Sequence, residues 1–223
     1  MAALNPVFWE TISEGMKSIL EFLGQQDIRD RFYLAGGTAL ALQLGHRKSI
    51  DLGFFSERDE VLKGSRQQIL SSFLKSQHST NVLENEDGNL LLQVNNIQVG
   101  FFSYGYPLLD PTLELVGCKL ASILDIGLMK LDAVISRGSR KDFYDLYWIA
   151  KQISLPDLLQ SGERKYPMMR DFPLIAVEHL VAFDNADRDH QPDLLKEIQW
   201  EELKAYFIRQ AMQLGSSWFF EKE

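Results

Sequence analysis

Residues 34–55 read Leu-Ala-Gly-Gly-Thr-Ala-Leu-Ala-Leu-Gln-Leu-Gly-His-Arg-Lys-Ser-Ile-Asp-Leu-Gly-Phe-Phe, and this stretch decides the fold. A strand over Phe32 to Ala35 runs into Gly36-Gly37-Thr38. A short apolar helix follows over Thr38 to Leu44, with Thr38 as its N-cap, and a strand over Ser49 to Phe55 carries one acidic residue, Asp51. The first N–H groups of a helix lack partners within it and the dipole there favours anions, so glycine amides at such a start suit phosphate. The same Gly-Gly-Thr sequence also serves as a plain tight turn with a threonine cap. Alternate strand residues share a face: Ile50, Leu52 and Phe54 would point into a core, Asp51 and Gly53 toward the glycine turn. A carboxylate there can hold a divalent cation against a phosphate, and Gly53 stands where a second carboxylate would be most useful.

Outward from this segment, residues 7–24 place Phe8, Ile12, Met16, Ile19, Leu20 and Leu23 at helical spacing, and a further helix fits Asp59 to Lys75. Strands are expected at Thr80 to Glu84, Leu90 to Val94 and Ile97 to Ser103, separated by the turn pairs Asp87-Gly88 and Asn95-Asn96. The sheet-bearing part then ends near residue 110, between Pro107 and Pro111. The rest reads as helical. Ser122-Ile-Leu-Asp125 resembles a capping box opening a helix to about Ser136, Gly138-Ser139 interrupts, and a second helix covers Arg140 to Lys151. Further helices fit 156–162, 172–182 and 199–214. The expected fold class is α+β, a small mixed sheet flanked by helices over residues 1–110 and a helical part over 111–223.

The second charged constellation runs from Lys130 to Asp145. Lys130 and Arg137 lie seven apart, nearly aligned on one helix face, and such a cationic pair can bind a triphosphate. Asp145 could orient either cation or touch the substrate. Ser139-x-x-Asp142 reads as a capping box. A solvated polar helix face explains the same residues without any ligand.

Composition limits the classes further. Twenty-three Lys and Arg against 31 Asp and Glu give a formal charge of −8, which argues against gripping extended duplex DNA. No apolar run approaches the roughly 20 residues of a membrane span, the N-terminus has no secretion signal, and the single Cys118 excludes an internal disulfide. A cytoplasmic protein with no membrane contact fits best. The acidic run Asp184, Asp187, Asp189 lacks the Gly and the final Glu of a calcium loop and reads as a linker. The four His residues show no ligand spacing, and there is no Gly-x-Ser-x-Gly elbow.

Taken together, the motifs resemble the AbiEii/AbiGii toxin family of nucleotidyltransferase-like proteins, a branch of the DNA polymerase β-type superfamily. The matching residues are Gly36-Gly37-Thr38, Arg47-Lys48-Ser49-Ile50-Asp51-Leu52-x-Phe54-Phe55, and Lys130-Leu131-x-Ala133-x-x-x-Arg137-x-x-x-Lys141-Asp142-x-x-Asp145-Leu146. The resemblance implies transfer of a nucleotide from an NTP, with Mg²⁺, to a hydroxyl of RNA (a tRNA-like acceptor) or of a protein. It also implies a cognate antitoxin as partner. Carried over residue by residue, Gly36, Gly37 and Thr38 hold phosphate, Asp51 binds metal, Lys130 and Arg137 contact the triphosphate, and Asp145 is the acidic residue of the helical part, which completes the site. Gly53 replaces the family's second metal Asp. Gly100, in Val99-Gly100-Phe101, stands where the third carboxylate is expected. These two glycines motivate the alternative of a catalytically degenerate domain that binds a nucleotide or a partner.

Overall fold

Short apolar segments and sharply turned loops build the first half around a sheet whose strands are mostly three to seven residues long. The computed structural model describes the backbone of residues 2–220 and side chains through residue 216. Contacts divide the chain into two units, Met1–Ser122 and Ile123–Glu223.

The first unit opens with strand β1 (Ala2–Ala3) and a single 3-10 turn at Trp9–Thr11, followed by helix α1 (Glu14–Leu23). The sequence suggested one helix from residue 7; Ser13 splits it, because its hydroxyl accepts the Met16 N–H and starts a new helix there. Then come β2 (Tyr33–Ala35), α2 (Gly36–Leu44), β3 (Asp51–Ser56), α3 (Lys63–Leu74), β4 (Thr80–Glu86), β5 (Asn89–Val94), β6 (Ile97–Ser103), β7 (Leu113–Leu115) and β8 (Cys118–Leu120). All eight join one mixed sheet in the order β1-β7-β8-β2-β3-β6-β5-β4.

Several boundaries differ from expectation for identifiable reasons. Helix α2 starts at Gly36, not Thr38, since Gly36 takes φ +69° and turns the chain into the helix directly after β2. Strand β3 starts at Asp51, because the Ser49 N–H donates to the Thr11 carbonyl outside the ladder. Ile50 is therefore 84% exposed rather than in the core. Residues 59–62 form a loop ahead of α3: the Asp59 carboxylate accepts from the Val61 N–H, from Arg31 and from Ser65. The sheet extends past residue 110 through the β7–β8 hairpin, turned by Val116 and Gly117 at positive φ. Three-residue strands offer too few positions for an alternation pattern to register.

The core of this unit lies on one face of the sheet. Leu34, Leu52, Phe54, Leu90, Leu92, Val99 and Phe101 are buried there, Phe54 stacks on Phe101 at 5.3 Å, and Phe32, Phe73 and Phe101 meet edge to face. The opposite face carries Asp51, Gly53 and Phe55.

The second unit is helical: α4 (Ile123–Ser136), α5 (Arg140–Ile149), α6 (Leu155–Lys165), α7 (Phe172–His179), α8 (Asp184–Arg188) and α9 (Trp200–Phe220). Gly127 allows close packing of α4, since a Cβ there would meet Leu158 at 2.9 Å and Ile149 at 3.0 Å. Asp125 ties α4 to α6: its carboxylate accepts from Lys165 Nζ at 2.8 Å, with both residues fully buried. Residues 184–188 form a short helix instead of a linker; Asp187 accepts from Trp200 and Lys204, and Asp189 from the Arg140 N–H.

The aromatic core predicts that Phe101→Ala lowers unfolding free energy by about 3–5 kcal/mol, measured by urea titration; a loss below about 1 kcal/mol would show that Phe101 does not hold the sheet face together.

Candidate active site

In the first unit the structure brings Gly36, Gly37, Thr38 and Asp51 together. Strand β3 runs antiparallel to β2, pairing Ala35 with Gly53, so the start of β3 lies beside the turn that leaves β2. Gly36 and Gly37 are half-exposed at the first turn of α2, and a Cβ at Gly36 would meet nothing within 4 Å. That opening is what a phosphate needs in order to approach backbone amides. Thr38 is not the helix cap but sits inside the first turn, with its side chain turned across to β3. Its hydroxyl donates to the Asp51 carbonyl in a short hydrogen bond and lies 3.4 Å from Asp51 Oδ1. One hydroxyl carries one proton, so the 2.7 Å contact between Thr38 and Ser49 has the Ser49 hydroxyl as donor. Ser49 and Thr38 are buried, and together they fix the backbone that presents Asp51.

In the second unit Lys130, Arg137 and Asp145 come together around Asp142, whose spacing from Ser139 suggested a cap. The Lys130 ammonium donates to Asp142 Oδ1 at 2.8 Å and pairs with Asp145 Oδ2 at 2.6 Å. Arg137 grips Asp142 with two parallel bonds, Nε to Oδ2 at 2.8 Å and Nη2 to Oδ1 at 2.9 Å, and the Ser139 hydroxyl donates to Oδ2 at 2.5 Å. The carboxylate thus joins α4 to α5 through side chains. Asp142 and Asp145 are fully buried and Lys130 nearly so, whereas the Arg137 side chain is 55% exposed. Burial alone would raise the Asp142 carboxyl, but the adjacent Lys130 ammonium and Arg137 guanidinium outweigh it and hold the group well below the usual carboxylate range. Ser49 and Asp142 are the residues that reasoning from sequence passed over as site components. The signal for Asp142 was its three-residue spacing from Asp145, which puts both carboxylates on one face of α5.

The cation that the nucleotidyltransferase resemblance implies can be tested against these side chains. Gly53 and Gly100 are paired in register across the parallel β3–β6 ladder, two residues along from Asp51. Neither supplies a ligand, and among the described residues no group of three or more His, Cys, Asp or Glu could hold a metal ion. Along this face of β3 and β6, Asp51 is a carboxylate that could hold a cation, and the Gly53–Gly100 level offers no second one. No described helix is long and apolar enough to cross a membrane.

Comparison with known proteins supplies the lineage. A family profile described as "Nucleotidyl transferase AbiEii toxin, Type IV TA system" matches residues 18–222. An uncharacterized protein of Aquifex aeolicus (strain VF5) is 32% identical over 206 residues, covering 91% of this chain and 97% of that protein. Among solved structures, the nucleotidyltransferase toxin MenT4 of Mycobacterium tuberculosis H37Rv superposes with a TM-score of 0.59 at 18% identity, over 88% of this chain and 80% of that one. The antibiotic-resistance factor ANT(2'')-Ia gives a TM-score of 0.51 at 13% identity, over 75% and 97%. These structural likenesses show a nucleotidyltransferase-like fold.

The buried charge cluster makes a pH-dependent prediction. Since the folded protein holds Asp142 below its ordinary value, that contribution is present above about pH 4 and fades as pH falls toward the folded value. Asp142→Asn is expected to cost roughly 3 kcal/mol at pH 7, and about 1 kcal/mol less at pH 3, in urea titrations of both proteins. An equal loss at both pH values would contradict the assignment.

Proposed function

The chain belongs to the AbiEii nucleotidyltransferase toxin family of type IV toxin–antitoxin systems, and from that premise we propose that it transfers a nucleotide from an NTP, with Mg²⁺, to a hydroxyl of RNA or protein. The observation that carries this is the Thr38–Ser49–Asp51 hydrogen-bond knot, which places a carboxylate beside an open glycine turn at a helix start. In this reading the Gly36 and Gly37 amides and the Thr38 region hold the phosphates of the NTP. Asp51 holds a Mg²⁺ ion, which when bound would neutralise phosphate charge. The family resemblance assigns Lys130 and Arg137 to the triphosphate, and Asp145 pairs with the Lys130 ammonium. The acceptor oxygen displaces pyrophosphate from the α-phosphorus. A cognate antitoxin would oppose this activity in the cell.

Gly53 and Gly100 favour one other reading, a domain that binds nucleotide or a partner without turnover. The two are separated by incubating the protein with α-labelled NTPs, Mg²⁺ or Mn²⁺, and cellular RNA and protein. The proposal predicts label transfer that falls at least a hundred-fold in Asp51→Asn and in Lys130→Met. Absence of transfer by the original chain, with transfer appearing only in Gly53→Asp, would sink it in favour of the binding domain.

A further inference from the structure

Asp51 stands in a polar row of its own across the sheet. The β3–β6 ladder pairs it with Gln98, the β5–β6 ladder pairs Gln98 with Gln93, and the β4–β5 ladder pairs Gln93 with Asn81. Residues paired in a ladder project to the same face, so one carboxylate is followed, strand by strand, by three carboxamides. The row is kept in line by the Asn95-Asn96 turn, where both residues take positive φ and close a two-residue hairpin between Val94 and Ile97. Gln98 is exposed and Gln93 half-buried. Gln43, in α2, is used differently: it is buried and spends its amide on the Ala39 and Ala121 carbonyls.

The next level along the strands offers no polar side chain, since Gly53 pairs with Gly100 and Gly100 with Leu91. A Cβ at Gly53 would lie 3.1 Å from the Phe55 ring, and one at Gly100 would run into the Phe102 ring. On the β6 side of Asp51 the polar reach therefore comes from Gln98, one strand spacing of about 4.8 Å away. Its chemistry suits that place. A carboxylate there, without a second cation, would repel a polyphosphate, and a lysine would pair with Asp51 and cancel its charge. A carboxamide supplies an accepting oxygen and adds no charge. The strand order puts β2, with its glycine turn, on one side of β3 and β6 on the other. With NTP phosphates on the β2 side, pyrophosphate leaves toward β2 and the acceptor oxygen enters in line from the β6 side.

We propose that the Gln98 carboxamide receives the acceptor hydroxyl of the transfer reaction and aims its oxygen at the α-phosphorus. The inference rests on the nucleotidyl-transfer reading above and adds to it the group that orients the nucleophile. The hydroxyl donates its hydrogen to Gln98 Oε1, which leaves an oxygen lone pair facing the phosphorus. The bond from that oxygen to the α-phosphorus forms as the bond from the α-phosphorus to the bridging oxygen breaks. The electron pair of the broken bond leaves with pyrophosphate, and the hydroxyl proton passes to water. Such transition states are loose, with little bonding to the nucleophile, so orientation serves here in place of a strong base.

The test uses the full chain with α-labelled NTPs, Mn²⁺, and total cellular RNA and protein as acceptors, with NTP affinity measured separately by calorimetry. Gln98→Leu removes the amide at similar size. It is expected to lower the transfer rate at saturating NTP about ten-fold or more, while NTP affinity stays within about two-fold. Gln98→Glu keeps an accepting oxygen at the same reach and sets a second carboxylate level with Asp51. It is expected to transfer within about three-fold of the original rate and to bind Mn²⁺ about ten-fold more tightly by electron paramagnetic resonance. Gln93→Leu, one strand farther away, is expected to change neither readout. The proposal is overturned if Gln98→Leu transfers at the original rate, or if its NTP affinity falls in step with the rate. It is also overturned if Gln98→Glu is as slow as Gln98→Leu or gains no affinity for Mn²⁺. Absence of transfer by the original chain removes the nucleotidyl-transfer reading and this role with it, whereas equal transfer by the original chain and Gln98→Leu removes the role of Gln98 alone.

Discussion

The pairing of β3, antiparallel to β2 and parallel to β6, is the constraint from which the sheet unit follows. It sends Leu52 and Phe54 into the core and leaves Asp51, Gly53 and Phe55 on the opposite face, so a shift by one residue would exchange the two sets. The same register sets Asp51 beside the glycine turn and puts Gly53 level with Gly100. Hydrogen bonds from Thr38 and Ser49 then lock the end of β3 that carries the carboxylate. Fold and site are here consequences of one alignment of strands.

The helical unit depends on charges rather than on a strand register. Asp142 accepts from Lys130, Arg137 and Ser139, and both carboxylate oxygens are occupied. Burying ions is costly unless they are paired and hydrogen-bonded, and this group meets both conditions. Lys165 and Asp125 form a second, fully buried pair elsewhere in the unit. The first cluster ties α4 to α5 and the second ties α4 to α6, so α4 is held by charge on both sides. Within the first cluster the Arg137 side chain keeps the largest exposed surface.

Much of this was legible in the sequence. The Gly36-Gly37-Thr38 turn, the lone Asp51, the Lys130–Arg137–Asp145 spacing and the succession of strands followed by helices all follow from local pattern, because each depends on residues close along the chain. What escaped was set by distant partners. Thr38 looked like a cap because its preference for helix starts is local, while its actual hydrogen bonds go to Ser49 and Asp51. Asp142 does meet the N-cap residue Ser139, but its carboxylate also accepts from Lys130 and Arg137, partners that the local spacing does not show. The β7–β8 hairpin was invisible because its strands are three residues each and gain their stability from pairing with β2. That Phe55 and Phe102 cover the two glycines needed the β3–β6 register, which no spacing within either strand reveals.

In the sheet unit Asp51 is left without a carboxylate at Gly53 or Gly100, and rings cover those two positions. The most direct measurement is a count of bound Mn²⁺ by electron paramagnetic resonance, with a non-hydrolysable NTP analogue at saturation. The account predicts one ion per chain, with its affinity reduced about ten-fold or more in Asp51→Asn. Two ions bound per chain, or one ion whose affinity ignores the loss of Asp51, would contradict it.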